Sequence, residues 1–314
     1  MNILITSSGR QSFLIKSFKK SLKQRGKIYT CDINKDSLSF NYSDGSFIAP
    51  KYEDKHFINF LIKKCAKYKI RLLITLSVEE LLILEKNRHH FNKINCFLVG
   101  GEIESILNTY DKYKMFKMCK SQGIPTIETQ LTNNVDKVSK KSIIKSRFGK
   151  GSRGIFIIEK HVKLKRSIRN SNFIIQEFIS GQEYGIDIIN NFNGEFVSMN
   201  VREKQAMANG ETVKAKTLDS EEWIHIGKKI GAHLKHHGII DIDAILSNEK
   251  LYIIDINHRF GGGYIFNHEA GCNVPKAYLE WLNNNNNNNS LLNYINNIQS
   301  QKLDNGSLKR ISNA

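Results

Sequence analysis

Proline is scarce in this chain, at three of 314 residues, and cysteine nearly so, with five. Cys31, Cys65, Cys96, Cys119 and Cys272 are scattered and form no CxxC pair. That excludes a zinc ribbon and argues against a disulfide framework, so a reducing, cytoplasmic setting is expected. No run of about 18 apolar residues occurs, so no membrane span is predicted. The opening MNILITSSGR turns polar too soon for a signal peptide and reads as a first strand. Acidic side chains are also short: 30 Asp and Glu stand against 47 Lys and Arg, a net charge of +17. Such an excess invites a nucleic-acid reading. Yet the basic residues are spread along the whole length, and no RRM, KH, zinc-finger or helix-turn-helix signature accompanies them. No nucleic-acid partner is therefore expected, and an acidic or phosphorylated substrate fits the charge equally well. No Ser nucleophile elbow or Cys–His pairing is visible. His236, His237, His258 and His268 lack partners at ligand spacing and read as structural.

The chain does have enough apolar residue for a core, at 40% hydrophobic and 25% charged, and the length for two domains. The first hundred residues alternate strand and helix. Strands are predicted over 2–6, 27–32, 71–76 and 95–100, with helices over 11–25, 57–68 and from 78. This pattern predicts a parallel, doubly wound sheet. The texture changes near residue 109. A Lys-rich helix over 111–121 stops at Gly123-Ile-Pro125. Strands follow over 142–145, 154–159, 172–177, 184–190 and 195–200. A helix over 221–236 and strands over 240–245 and 251–256 complete an α+β unit. Asn283 to Asn289 are an unbroken asparagine run, opening a polar tail with one apolar stretch, 291–298, that could dock as a helix.

Four segments could carry chemistry. In the first, Thr6 to Arg10 follow the first strand and Asp32 ends the second. One glycine there is too few for a dinucleotide fingerprint, so a tight turn, or a role for Ser8, Arg10 and Asp32 in lining a cleft, is expected. In the second, residues 145–154 read KSRFGKGSRG between two strands. Backbone N–H groups at Gly149, Gly151, Ser152, Arg153 and Gly154 could face phosphate oxygens, with Lys145 neutralising them. No helix follows, so this is not a Walker A loop. In the third, residues 174–183 read IIQEFISGQE. An apolar strand running into a glycine turn could offer Gln176, Glu177, Phe178 and Ile179 to an adenine and Glu183 to a ribose. In the fourth, Asp243 precedes DINHRFGGG at 255–263. Asp243, Asp255 and Asn257 share a parity, so on paired strands they face one side. Three oxygen ligands suit Mg²⁺. Arg259 has the same parity and could stabilise a transferring phosphoryl group; Asp241 matches too, more weakly.

Taken in order, these motifs resemble the ATP-grasp superfamily, nearest to its carbamoyl-phosphate-synthase-like, single-module members. The resemblance implies a pre-ATP-grasp α/β domain over 1–108 and an ATP-grasp domain over 109–282. That domain would have a lid lobe near 109–180 and a metal-binding lobe near 181–282, with 283–314 left as a low-complexity tail. Lys112, in Tyr-Asp-Lys before the Gly-Ile-Pro helix stop, matches the family's first phosphate lysine. Lys145 and its loop match the second lysine and lid, 176–179 the adenine hinge, Glu183 the ribose acid, and Asp243, Asp255 and Asn257 the metal set. The implied activity is ADP-forming ligation of a carboxylate to an amine through an acyl phosphate. ATP and Mg²⁺, or Mn²⁺ in its place, would be the cofactors. Arg259, with Arg202 or Lys204, would stabilise the acyl phosphate and its adduct. The partners would be a small carboxylate and amine, and a homodimer is compatible with the reading. The substrate cleft would lie by the Gly261-to-Tyr264 turn, near Arg10 and Glu79. Two departures stand out. The family usually has Glu where this chain has Asp243 and Asp255, and carbamoyl-phosphate synthase large chains carry two modules rather than one. The rival readings are a non-catalytic nucleotide-binding regulator and a basic RNA-binding protein.

Overall fold

The computed structural model describes residues 1–149, 155–208, 210–283, 289–303 and 307–313. Five strands open the chain: β1 (Asn2–Thr6), β2 (Ile28–Asp32), β3 (Gly45–Ile48), β4 (Ile70–Thr75) and β5 (Phe97–Leu98). They form one sheet in the order β3-β2-β1-β4-β5, and every pair is parallel. Helices α1 (Ser12–Leu22), α2 (Phe57–Lys67), α3 (Val78–Lys86) and α4 (Arg88–Lys93) provide the crossovers. Successive residues of a strand point to opposite faces. Accordingly Ile3 and Ile5 pack with Phe18 of α1, while Leu4 packs with Leu61 of α2 and Leu81 of α3. Both faces are covered, so β1 carries an unbroken apolar run rather than an alternation.

Helices α5 (Ile103–Tyr110) and α6 (Lys112–Ser121) lead to the second part of the chain. There β6 (Thr129–Leu131), β7 (Ser142–Ser146), β8 (Phe156–Ile158) and β9 (Phe173–Glu177) form a small antiparallel sheet, ordered β6-β9-β7-β8. Its core is modest: Val138, Ile144, Leu164 and Ile175.

A larger antiparallel sheet holds β10 (Gln182–Asn190), β11 (Phe196–Ala208), β12 (Glu211–Leu218), β13 (Gly238–Ser247) and β14 (Lys250–Asn257). Helix α7 (Ile224–Leu234) and Met115 and Cys119 of α6 pack on one face. On the other, α8 (Tyr264–Glu269) and α9 (Val274–Leu282) join the first unit: Ile3, Ile5 and Phe18 share a core with Ile239, Phe260, Tyr278 and Trp281. The two units therefore meet through apolar surface, which fixes the β1–α1 loop against the segment following β14.

The C-terminal residues correct one expectation. Instead of a tail apart from the fold, β15 (Ile298–Lys302) and β16 (Leu308–Asn313) extend the large sheet, in the order β14-β13-β10-β11-β12-β15-β16. The stretch expected as a helix is instead a short 3-10 turn, Asn289–Leu292, followed by a connection into β15. Leu292 and Ile298 are buried at 2% and 4% exposure. The Tyr294 hydroxyl donates to Leu218 O and accepts from the Val201 N–H. These few anchors suffice because each lands on an edge already built by β12. Strands β3, β6 and β12 were also unread, and the fourth expected strand of the first unit shrinks to two residues. Among the described residues no helix is long and apolar enough to cross a membrane.

Candidate active site

Strands β13 and β14 form a hairpin whose register sets Asp243 opposite Asp255 and Asp241 opposite Asn257. The shared face expected from the sequence is present, and a register shift between Asp243 and Ala244 produces it. Each carboxylate has a cation on it. Lys112 Nζ lies 3.1 Å from Asp255 Oδ1 and donates to Gly149 O at 3.0 Å. Lys204 Nζ, from β11, lies 2.5 Å from Asp243 Oδ1 and 3.5 Å from Glu183 Oε2. Asn257 Nδ2 stands 3.5 Å from Asp255 Oδ2. Burial acts to raise the Asp243 pKa, but the charge and hydrogen bond of Lys204, with Arg259 and Arg202 behind, hold it below the usual carboxylate range. Burial also acts against the Lys204 charge, and Asp243 outweighs it, keeping that ammonium above the ordinary value.

Lys145 ends β7 and is buried at 9% exposure. Its pKa is pushed down to about 8, first by burial and then by Lys112, while Asp255 and Asp243 oppose the shift. The two phosphate lysines of the resemblance are therefore neighbours, and both have Asp255 beside them. Lys112 is fixed from behind. Asp111 caps α6, accepting from the Tyr113 and Lys114 N–H groups, and takes two bonds from Arg147 at 2.8 and 2.6 Å. The Lys112 N–H donates to Arg147 O at 3.1 Å. The start of the glycine loop is thereby tied to the helix carrying Lys112. Gly149 closes that described stretch at φ +99°, where a side chain would strain the backbone. Gly151, Ser152, Arg153 and Gly154 lie outside the described residues.

The expected adenine hinge is the crossing from the small sheet to the large one. Gln176 is buried and donates through Nε2 to Thr129 Oγ1 at 2.8 Å. Glu177 is exposed and paired with Lys140. The Phe178 N–H donates to Lys141 O, and Ile179 is half-buried in the connection to β10. Glu183, near the start of β10, lies beside Lys204, so this acid, expected to meet a ribose, is linked to Asp243 through one ammonium.

Arg202 shares this face, level with Asp243 in the strand register, but is covered by the turn after β14. It is 2% exposed, with Nη1 2.9 Å from Asp187 Oδ2 and Nη2 2.9 Å from Asp241 Oδ1. Two glycines make its room: a Cβ on Gly185 or Gly263 would fall 2.7 or 2.4 Å from its Nε. Burial alone would lower the guanidinium pKa, and the Asp187 and Asp241 charges raise it instead. Asp241 also takes Arg259 Nη1 at 3.2 Å, and Arg259 donates to Phe260 O at 2.9 Å. Gly261 is required here, since a Cβ would fall 2.1 Å from Asp241 Oδ1. Asp187, fixed further by Asn267 at 2.7 Å, was missed by the sequence reading. Its signal was a lone acid inside the apolar strand Gly-Ile-Asp-Ile-Ile. Asp241, ranked as a weak ligand candidate, is instead the counter-ion joining two arginines. Among the described residues no group of three or more His, Cys, Asp or Glu is suited to a metal; the candidate set is two carboxylates and an amide.

Comparison with known proteins bears on the family and the fold. The model of the ATP-grasp domain matches residues 109–263, and that of the PylC-like N-terminal domain matches residues 3–99. The chain belongs to the ATP-grasp superfamily. It is 28% identical over 176 residues to a D-alanine–D-alanine ligase of Petrotoga mobilis, a stretch that is 49% of this chain and 58% of that protein. It is 20% identical over 181 residues to the arginine-specific carbamoyl phosphate synthase large chain of Geobacillus stearothermophilus, covering 52% of this chain and 17% of that one. The match thus spans under two thirds of either relative. Among solved structures, N5-carboxyaminoimidazole synthetase of Staphylococcus aureus complexed with ADP superposes with a TM-score of 0.71. It is 17% identical, over 96% of this chain and 82% of that one. An L-amino acid ligase of Bacillus licheniformis gives 0.68 at 16% identity, over 96% and 79%. At such identities these likenesses speak for the fold.

Proposed function

We propose that this protein is an ATP-dependent, ADP-forming ligase that joins a carboxylate to an amine through an acyl phosphate. The observation carrying the reading is the convergence of Lys112, Lys145, Asp243, Asp255 and Asn257 from four separate elements around one face. The curated relatives and the ADP-bound neighbour support it. Phosphoryl transfer asks a protein chiefly for positioning and charge neutralisation, and this face supplies both. Lys112 and Lys145 neutralise β- and γ-phosphate oxygens. The hinge at 176–179 receives the adenine and Glu183 the ribose.

The donor set fits a divalent metal. Asp243 and Asp255 offer hard oxygens directly across a strand pair, Asn257 a third, and cationic lysines already sit against both carboxylates. When bound there, Mg²⁺ or Mn²⁺ would offset phosphate charge. Arg259, held by Asp241, is positioned to meet charge developing on the transferred group. Lys204 holds Asp243 and would contact the adduct once that pair is exchanged. Arg202, buried behind Asp241, acts as a positioning residue for Arg259 rather than by contact with substrate.

The test is ADP release from ATP across paired libraries of carboxylates and amines, with hydroxylamine present to trap an acyl phosphate as the hydroxamate. Release that needs both partners, and hydroxamate when hydroxylamine replaces the amine, is expected. Nucleotide binding with no release on any pair would leave a nucleotide-binding protein without this chemistry.

A further inference from the structure

Between the start of α1 and the segment after β14 lies a cavity of about 110 Å³. Much of its wall is apolar, including Phe13, Phe260 and Ile265. Its charged side chains are Arg10, Glu211 and Lys302, which come from the first unit, from β12 and from the C-terminal strand β15. Lys302 is fastened rather than loose. Its Nζ donates to Gly262 O at 3.1 Å and lies 3.5 Å from Glu211 Oε2, and its side chain is 18% exposed. Gly262 stands three residues after Arg259. A strand that looked like tail is thereby attached to the loop carrying the arginine of the phosphoryl site.

We propose that this cavity receives a non-reacting carboxylate of the small-molecule substrate, and that Lys302 is the residue that selects it. The proposal rests on the ligase reading for what the bound molecule undergoes, but not for the binding itself. Its argument is charge and place. Two cations face one acid, a surplus of one positive charge; Arg10 and Glu211 reach solvent, while Lys302 is the cation held among the apolar walls, where charge is costly to leave poorly matched. Burial lowers the Lys302 pKa, and Glu211 opposes that shift without removing it. A carboxylate on a short apolar stem would restore the balance on Lys302 and Arg10 and place its stem on Phe13 and Phe260. A cationic end would face two like charges. Because Gly262 adjoins the Arg259 loop, the opposite end of such a molecule would point toward the phosphoryl site.

The experiment uses the full-length chain. Thermal shift, then calorimetry, would be run with L- and D-amino acids and four- to six-carbon dicarboxylates. The matching amides and diamines, and inorganic phosphate, complete the probe set. At least one carboxylate should bind, and its amide should bind at least about tenfold more weakly. Lys302→Gln should weaken the carboxylate about tenfold or more while leaving ATP affinity within about twofold; Lys302→Arg should restore it. Glu211→Gln should tighten the same carboxylate, a sign that misfolding cannot produce. The proposal is overturned if no carboxylate in the set binds at millimolar concentration, if only phosphate binds, or if Lys302→Gln leaves carboxylate affinity unchanged. The two readings separate cleanly. Lysine-dependent carboxylate binding without ADP release sinks the ligase and keeps the cavity. Ligation of a pair whose KM values ignore Lys302→Gln sinks the cavity and keeps the ligase.

Discussion

Asp255→Asn keeps the shape of the metal face and removes one charge, and the two halves of its effect have opposite signs. In the free protein Asp255 is the partner of Lys112 at 3.1 Å, with the two side chains 11% and 18% exposed. A pair so placed lies between an exposed one, about 0–1 kcal/mol, and a buried one whose disruption costs about 3–5. We take about 1–2 kcal/mol as the attraction that ATP must displace to reach Lys112. Without divalent metal, ATP should therefore bind Asp255→Asn roughly 5–30-fold more tightly than wild type. With Mg²⁺ the lost ligand dominates, and turnover should fall by at least about 100-fold, or about 2.7 kcal/mol in the barrier. Free adenosine should bind both proteins alike, because it carries no phosphate to meet Lys112 or a metal on the carboxylates. The assay is calorimetry with adenosine and with ATP, each with and without EDTA, beside ADP release across a Mg²⁺ titration. Wild-type turnover in Asp255→Asn at physiological Mg²⁺ would refute the metal assignment. Weaker ATP binding in EDTA would refute the account of Lys112.

The two strands of the candidate metal site were legible because their signal is local. Their side chains' shared face was not legible from parity alone: the two-residue turn Asn248-Glu249 would set Asp243 opposite Ile254, and a register shift between Asp243 and Ala244 sets it opposite Asp255 instead. The parallel sheet was legible from local signal as well: its strands are short apolar runs separated by helical periodicity. The counter-ions were not. Lys204 meets Asp243 and Arg202 meets Asp241, each across 39 positions of sequence, and nothing near either residue announces the other. Arg202 was consequently read as a group facing substrate, with no sign in the sequence that Asp187, Asp241 and the turn at Gly263 enclose it. Strand β12 was missed because its inward positions are Thr212, Ala215 and Thr217, not large apolar residues. The C-terminal strands were missed because asparagine-rich composition outweighed three isolated anchors, Leu292, Tyr294 and Ile298. Their burial depends on an edge that the rest of the chain builds.

Arg202→Met should lose about 3–5 kcal/mol in urea unfolding, since Asp187 and Asp241 would be left buried without their shared cation; an unchanged urea midpoint would mean the triad carries no structural charge. Lys112→Ala should weaken ATP binding, whereas Arg259→Ala should fall mostly on kcat; the reverse pattern in binding and steady-state assays would exchange their roles. For Lys145 the sign runs as pH rises. Its pKa of about 8 in the free protein lies below the ordinary lysine value of about 10.4, so its charge fades above pH 8. ATP affinity should then fall by up to about tenfold per pH unit above 8, and Lys145→Arg should abolish the dependence. The unfolded chain binds the extra proton between those two values, so this group's contribution to stability rises with pH over the same window. The last expectation reverses the one drawn from composition. Truncation after Leu282 would remove Leu292 and Ile298, each buried to within 4% exposure, and with them about 3–6 kcal/mol of apolar burial. It would also leave the Val201 N–H and Leu218 O without the Tyr294 hydroxyl and β12 without its neighbour strand. A loss of that size is comparable to the whole stability of many domains. The truncated chain should therefore unfold at markedly lower urea or fail to accumulate in soluble form. If it instead unfolds at the wild-type midpoint and binds ATP equally, the two C-terminal strands are not part of the folded core.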